Sequence, residues 1–263
     1  MGSLAGKSPA NTYKSLLKVA DETNGVSGTA SQIEDGEGTS TCISVGDDNF
    51  KVKPQSDNTT TTFEVENASG SNLLTVDSSN SVVKVGTSQV SATTQLLTFS
   101  AYRLVPSSAG THHYIPVQGM AEFSVGTAAE VSSGTGTDPL TSHDGGTGTD
   151  ELVNMLFNVP FNITIDAVKV IASNDSDTDC VYNYHLVSYD MVADGTTNDG
   201  NLSNGTVLAD GQATAVDRSV IKSTDLTIQS SSVTSGKVIA CFVENETNTN
   251  DINIQVQVKY HIA

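Results

Sequence analysis

The 263-residue sequence contains no Trp, and it has few aromatic residues (5%) and few charged residues (16%). Its surface must therefore be built largely from Ser, Thr, Asn and Gly rather than from Lys and Glu. This composition is typical of all-β extracellular or virion surfaces and not of helical enzymes.

Basic residues are scarce: 12 Lys and Arg stand against 30 Asp and Glu, for a formal net charge of -18, and no basic run occurs. This balance argues against direct binding to nucleic acid. The acidity is explained by solubility, and like charges also discourage edge-to-edge association of sheets.

Cysteine is also scarce, with Cys42, Cys180 and Cys241 widely spaced and without a Cys-x-x-Cys pair. Neither a disulfide framework nor a cysteine zinc site fits this pattern. We predict that each Cys is a small buried apolar residue of a protein that folds in reducing cytosol.

Long apolar runs are missing. No stretch reaches the 18 residues of a membrane span, and the first residues lack a signal-peptide core. The sequence therefore predicts no membrane insertion.

What is present is a series of short alternating segments, first in "FEVENASGSNLLTVDSSNSVVKVG" (Phe63 to Gly86). The period of two predicts three short strands, separated by Gly, Ser and Asn turns at 67–72 and 78–81. Six apolar side chains are predicted to share one face: Phe63, Val65, Leu74, Val76, Val83 and Val85.

Burial of six side chains stabilises this segment by less than the ordering of its 24 residues costs. We therefore predict that identical segments of other copies of the chain supply the missing surface, so that the six residues form the core of an intertwined oligomer. The alternative is one sheet of an ordinary sandwich whose other sheet lies elsewhere in the chain.

The chain divides into three predicted zones: 1–50, an irregular N-terminal region; 51–90, the short strands; and 91–263, a C-terminal domain. Within the first zone "YKSLLKV" is compatible with either a helix or an extended segment. Within the third, the tract Val131 to Asp150 is predicted to be a mobile surface loop because it is rich in Gly, Ser and Thr.

Longer strands are predicted after residue 91, most clearly in "INIQVQVKYHI", where Ile252 to Ile262 alternate with polar residues. One face of such a strand meets a core and the other meets water. About eight strands with polar turns and no convincing helix predict an all-β chain that ends in an antiparallel β-sandwich, or jelly roll.

The chain resembles the short fibre and appendage proteins of tailed bacteriophages, especially of marine podoviruses. Their attachment modules are similar to "KSPANTYKSLLKV" with "IEDGEGTSTCISVGDDNFKV", and their trimerising shaft units are similar to the Phe63 to Gly86 segment. Their terminal sandwich is similar to "FNVPFNITIDAVKVIASND" through "SGKVIACFVENETN". The resemblance implies a homotrimeric virion protein, assembled in the host cytoplasm. Residues 1–50 would attach to a capsid or tail protein, residues 51–90 would form a short shaft, and the distal head would contact a host glycan or protein.

No motif for catalysis stands out, and the sequence predicts no catalytic residue, no cofactor and no metal ligand. His112 and His113 are adjacent on a predicted strand, so their side chains point to opposite faces and cannot share one ion within a chain. We interpret them as polar surface; the alternative is one His per chain converging on a three-fold axis. Asp175, Asp177 and Asp179 lack the Gly and Glu of a calcium loop and predict a polar hairpin turn.

Three functions follow. The favoured hypothesis is a trimeric phage fibre or capsid appendage, which is not an enzyme. The second is a carbohydrate-binding or adhesin module outside a virion. The third is a polysaccharide-degrading enzyme, which predicts carboxylates clustered on the sandwich.

Overall fold

The computed structural model describes residues 16–21, 23–104, 108–117, 132–143, 149–191, 201–247 and 249–263. These residues form strands joined by turns and one short 3-10 helix, with no α-helix among them. The prediction of an all-β chain with antiparallel sheets is confirmed. The chain forms two compact units, Met1–Ala92 and Thr93–Ala263.

Sheet 1 of the first unit is an antiparallel meander of four short strands. They are β1 (Lys18–Val19), β2 (Ser31–Glu34), β3 (Ser40–Val45) and β4 (Phe50–Val52). The irregular segment predicted here is thus a sheet over its described part, and the end of "YKSLLKV" is extended. Residues 1–15, where a helix was the alternative, lie outside the described residues.

Sheet 2 holds the predicted short strands. Its order follows the sequence: β5 (Phe63–Glu66), β6 (Asn72–Asp77), β7 (Val82–Val85) and the added β8 (Val90–Ser91). The first turn forms as its composition predicts, because the Asn67 side-chain oxygen accepts hydrogen bonds from the backbone N–H groups of Ser69 and Ser71.

The described residues of the second unit form eleven strands in two antiparallel sheets. The strands are β9 (Thr94–Leu104), β10 (His112–Ile115), β11 (Leu156–Asn158), β12 (Ile163–Asn174), β13 (Cys180–Met191), β14 (Leu202–Val216), β15 (Lys222–Asp225), β16 (Thr227–Ile228), β17 (Ser232–Val233), β18 (Val238–Asn245) and β19 (Ile252–Ile262). Sheet 3 has the order β15-β12-β19-β9, with β17 beside β12; sheet 4 has the order β10-β18-β13-β14-β16, with β11 beside β18.

One hydrophobic core joins these two sheets. Sheet 3 contributes Phe99 and Val256, and sheet 4 contributes Tyr184 and Cys241, all fully buried. Alternation produces this core, because every second residue of β19 from Ile252 to Val258 is buried while Gln255 and Gln257 are exposed. The alternating burial predicted for the last strand is confirmed over these residues.

Strand β12 keeps its apolar residues inward by means of a β-bulge. The register against β19 shifts between Ile165 and Ala167, so that Asp166 and Ala167 are both exposed. Before the bulge the buried residues of β12 have odd numbers, and after it they have even numbers, as Val168 and Val170 do. A bulge adds one residue without turning the following side chains away from the core.

Strand β18 is buried on both faces. Ile239, Cys241 and Val243 join the shared core, whereas Ala240 and Phe242 belong to a second hydrophobic cluster on the other side of sheet 4. The 3-10 helix Thr149–Met155 supplies Leu152 and Met155 to that second cluster. Sheet 4 is therefore covered on its outer side as well.

The predicted surface loop Val131 to Asp150 is part of this cover. Ser133 is buried, its N–H donates to the carbonyl of His112, and Ser132 forms a bridge with His113. The Tyr189 hydroxyl donates to the carbonyl of Leu140 at 2.9 Å. Residues 132–143 are therefore a largely exposed surface loop that these contacts anchor to sheet 4, and its mobility stays a prediction.

Two predictions were wrong, and one strand was missed. The polar turn around Asp177 links β12 of sheet 3 to β13 of sheet 4, so it is not a hairpin. Strand β14, rich in Gly, Asn and Asp, was not predicted. Cys180 and Cys241 are buried as predicted, but Cys42 is exposed.

None of the helical segments in the described residues has the length and hydrophobicity that crossing a bilayer requires.

Two neighbouring leucines of β9 allow a test of the alternation between buried and exposed side chains. Leu97 is 4% exposed and Leu96 is 62% exposed. We expect Leu97→Ala to lower the free energy of unfolding of the second unit by about 2–5 kcal/mol, because it removes buried methyl groups and leaves a cavity. The matched Leu96→Ala should change it by less than about 0.5 kcal/mol. Urea unfolding followed by circular dichroism measures both, and equal losses would show that the strand faces are assigned wrongly.

Candidate functional site

Sheet 2 presents an uncharged apolar face. The register pairs Phe63 with Val76 and Val76 with Val83, and it pairs Val65 with Leu74 and Leu74 with Val85. Directly paired residues of antiparallel strands point to the same side, so all six predicted core residues share one face. Val90 joins them through its pairing with Val85. We call these seven residues the apolar face.

The apolar face is open to solvent. Phe63 is 38% exposed, Val65 and Val83 are 41% exposed, and Val85 is 43% exposed, while Leu74 and Val76 are partly buried. Over residues 16–21 and 23–92, no hydrophobic side chain is buried. The described part of the first unit thus forms two sheets without a hydrophobic core of its own.

The opposite face of sheet 2 is mostly polar, with Val82 beside Asp77, and its buried charge is paired within the chain. Asp77 is fully buried and accepts hydrogen bonds from Lys84 Nζ at 2.9 Å and Asn80 Nδ2 at 2.8 Å. The hydrogen bonds from Asn80 and then Lys84 lower the pKa of Asp77 from 3.8 to about 2. The two faces of the sheet therefore differ sharply: one satisfies its polar groups within the chain, and the other leaves its apolar groups exposed.

A second candidate site lies on the outer side of sheet 4. His112 of β10 pairs with Glu244 of β18, and His185 of β13 pairs with Phe242, two residues before Glu244. The three side chains therefore project from neighbouring strands on one face. One ligand atom from each lies within 4.8 Å of the other two, and all three residues are buried. We call these residues the His-His-Glu cluster; two imidazoles and a carboxylate are groups that could hold a metal ion.

The hydrogen bonds of His112 fix its orientation. Its Nδ1 lies 3.3 Å from the carbonyl oxygen of Gly134, which can only accept, so Nδ1 carries the proton. Its Nε2 then carries a lone pair, and it lies 3.6 Å from Glu244 Oε2. Within the described structure this Nε2 and both ring nitrogens of His185 are buried without a hydrogen-bond partner.

Asn183 also contacts Glu244. Its Nδ2 donates to the same Glu244 Oε2 at 2.8 Å and to Glu246 Oε1 at 2.7 Å. Gln212 Nε2 also donates to Glu246 Oε1, at 3.0 Å. Amides thus link the carboxylates at this end of sheet 4.

Burial lowers the pKa of both histidines. Desolvation is the main cause for His112, opposed by the charge of Glu244. For His185 desolvation comes first and the neighbouring His112 second. Burial thus favours the neutral form of both imidazoles, the form in which a ring nitrogen can bind a metal ion.

A pocket of about 340 Å³ opens beside this cluster and reaches His185. Its polar lining includes Asp138, Asp210, Gln212 and Glu246. Asp138 Oδ1 lies 3.7 Å from His185 Nδ1. The tract between 132 and 143 thus contributes both Gly134 and Asp138 to the surroundings of the cluster.

The sequence prediction for the histidines was partly right. His112 and His113 do point to opposite faces of β10, since they pair with successive residues of β18. Both are buried, so the interpretation as polar surface is wrong. His185 and Glu244 were not singled out, and no local signal could have found them, because they reach His112 only through strand pairing. Asp175, Asp177 and Asp179 are not part of the cluster.

Acid should weaken sheet 2 through Asp77. A folded pKa of about 2 below the ordinary 3.8 means that the ionised carboxylate stabilises the fold above pH 3.8, and that this stabilisation is lost as the pH falls towards 2. We expect the carboxyl carbon of Asp77 to titrate near pH 2 by NMR, together with the amides of Asn80, whose N–H donates to Asp77 Oδ1, and of Lys84. In Asp77→Asn that component should vanish; amides that titrate unchanged in the variant would refute the assignment.

No protein-family model matches the chain, and no curated protein matches it.

Proposed function

We propose that this chain is a structural protein of a tailed bacteriophage virion, a homotrimeric fibre or capsid appendage. Residues 1–50 attach it to a capsid or tail protein, residues 51–90 hold three chains together, and residues 91–263 form a terminal β-sandwich that faces the host. In this proposal the protein is not an enzyme.

The observation that carries the proposal is the apolar face together with the missing core of the first unit. Seven apolar side chains on one sheet face, five of them about two-fifths exposed, form the kind of contiguous patch that marks an association surface. A four-stranded sheet whose apolar face stays open buries too little apolar surface to offset the conformational entropy lost on ordering its chain. Association covers that face and gives the first unit its core.

Copies of the same chain suit this face better than an unrelated partner. The chain carries a net charge of -18, so most surfaces of two copies repel each other. The apolar face bears no charge, and Lys84 and Asp77 neutralise each other on the opposite face. Cyclic symmetry closes such an assembly: three identical faces around one axis leave no apolar face open.

The second unit suits the role of a distal head. Its two sheets share a core of fully buried side chains, so it has the material to fold without help from another copy. Packing of sheets 3 and 4 over that core is the basis for assigning a sandwich. The pocket of about 340 Å³ is a surface on which a host molecule could bind.

The second candidate is a carbohydrate-binding module outside a virion. The same pocket favours it, because carboxylates and amides such as Asp210 and Gln212 hydrogen-bond sugar hydroxyls. Among the described residues that line the pocket there is no Phe, Tyr or Trp on which a sugar ring could stack. Immunogold labelling of phage particles separates the two, because only the virion proposal expects label on the particle.

The carboxylates that the enzyme hypothesis predicts do gather at this pocket. Glu246 accepts hydrogen bonds from Asn183 and Gln212, and Asp210 accepts one from Gln229 at 2.8 Å. A set of carboxylates held by amide donors offers several hydrogen-bonding groups to a polar ligand, and we therefore assign binding to the pocket.

We expect a trimer of about 82 kDa, three times the chain mass of 27.4 kDa, by light scattering or sedimentation. Val83→Asp with Val85→Asp should reduce the mass to that of one chain, because three pairs of buried like charges would meet at the axis. The second unit should stay folded in the variant, since its core lies within one chain.

The matched control is Val153→Asp, which places the same charge at a valine that is 72% exposed outside the apolar face. It should remain trimeric. A wild-type chain that is monomeric at all concentrations, or a double variant that stays trimeric, would refute the proposed role of the apolar face. A stable dimer would refute the three-fold arrangement.

A further inference from the structure

We propose that His112, His185 and Glu244 bind one transition-metal ion of the Zn²⁺ type within a single chain. The site does not depend on the proposed trimer, because all three ligands belong to sheet 4 of the second unit. It differs from the three-fold ion site considered for one His per chain.

The ligand atoms are almost at coordinating distance. Zinc binds nitrogen and carboxylate oxygen at about 2.0–2.2 Å, so two ligands of a tetrahedral site lie about 3.4 Å apart. His112 Nε2 and Glu244 Oε2 are 3.6 Å apart, and the full set lies within 4.8 Å. Small side-chain rotations around a central cation would bring His185 into place, since its ring centroid is 4.9 Å from that of His112.

The lone pair and the carboxylate that face each other in the cluster favour a bound cation. Gly134 requires the proton of His112 on Nδ1, so the Nε2 lone pair faces the carboxylate of Glu244 with no hydrogen between them. Glu244 Oε2 accepts a hydrogen bond from Asn183, but the lone pair of His112 Nε2 has no donor and faces that oxygen, which is unfavourable. A metal ion between the two atoms removes this repulsion, and it also satisfies a buried nitrogen of His185.

Groups around the ligands resemble the outer shell of a metal site. Histidine ligands usually donate their second nitrogen to a carbonyl or carboxylate, as His112 does to Gly134. Asn183 orients Glu244 through its amide, and Asp138 lies 3.7 Å from His185 Nδ1. Each ligand therefore has a neighbouring group in position to hold it.

The donor set selects the kind of metal. Ca²⁺ and Mg²⁺ prefer oxygen ligands, whereas two imidazoles with one carboxylate favour Zn²⁺ and its neighbours in the first transition row. Three protein ligands leave a fourth position, and the pocket that reaches His185 gives water and the ion a path to the site. Bound there, the ion would link β10, β18 and β13.

The test uses the full chain without a histidine tag, stripped with EDTA and dialysed. Titration with ZnCl₂ in a calorimeter should show saturable binding of one ion per chain. At 100 times the dissociation constant, Zn²⁺ should raise the melting temperature of the second unit by about 5–10 °C. Co²⁺ should give visible absorption bands of a low-symmetry nitrogen and oxygen site.

The variants His112→Gln, His185→Gln and Glu244→Gln should each abolish saturable binding, the thermal shift and the Co²⁺ bands. Asp138→Asn alters a neighbouring group and should weaken binding by about 10–100-fold. His261→Gln is the matched control: His261 lies on sheet 3, bonded to Asp166 at 2.9 Å, and its loss should change nothing.

The wild-type titration decides the proposal even where a variant does not fold. A wild-type chain that shows no saturable Zn²⁺ binding and no Co²⁺ bands would overturn it. Binding that survives His185→Gln but is lost in His261→Gln would also overturn it, since the ion would then lie elsewhere.

Discussion

Burial of apolar side chains is the constraint on which this structure depends, and the two units meet it differently. The second unit places Phe99, Tyr184 and Val256 in one core that two sheets enclose. The described part of the first unit buries no hydrophobic side chain and exposes the apolar face of sheet 2. Because apolar surface in water is unfavourable, a unit of the second kind gains most from association.

Sheet 4 shows how a sheet that is buried on both sides creates a place for polar chemistry. The inner residues of β18 enter the shared core, and Phe242 on its outer side is covered by the second cluster. At Glu244 the outer side changes from apolar to polar, under the cover of residues 132–143. The His-His-Glu cluster lies at this transition. Its side chains are buried, and the pocket that reaches His185 connects them to solvent.

The parts of the fold that were predicted correctly have local causes. Alternation with a period of two found the strands of sheet 2, the faces of their six apolar residues and the burial of Ile252 to Val258. Strand β14 escaped because its Gly, Asn and Asp residues resemble turns, although pairing with β13 holds it extended. The anchoring of the surface loop 132–143 to sheet 4 was not predicted either, since its hydrogen bonds are made with distant residues such as His112 and Tyr189.

The sequence by itself determined the all-β class, the apolar face of sheet 2 and the opposite directions of the His112 and His113 side chains. Each of these follows from the alternation of side chains along an extended backbone. Only the tertiary structure decided that His112 meets His185 and Glu244, since strand register across β10, β18 and β13 brings together residues far apart in the chain. It also decided which cysteines are buried and that the bulge at Asp166 turns β12 back to the core. Burial depends on what covers a residue, and a linear pattern of residue types does not contain that information.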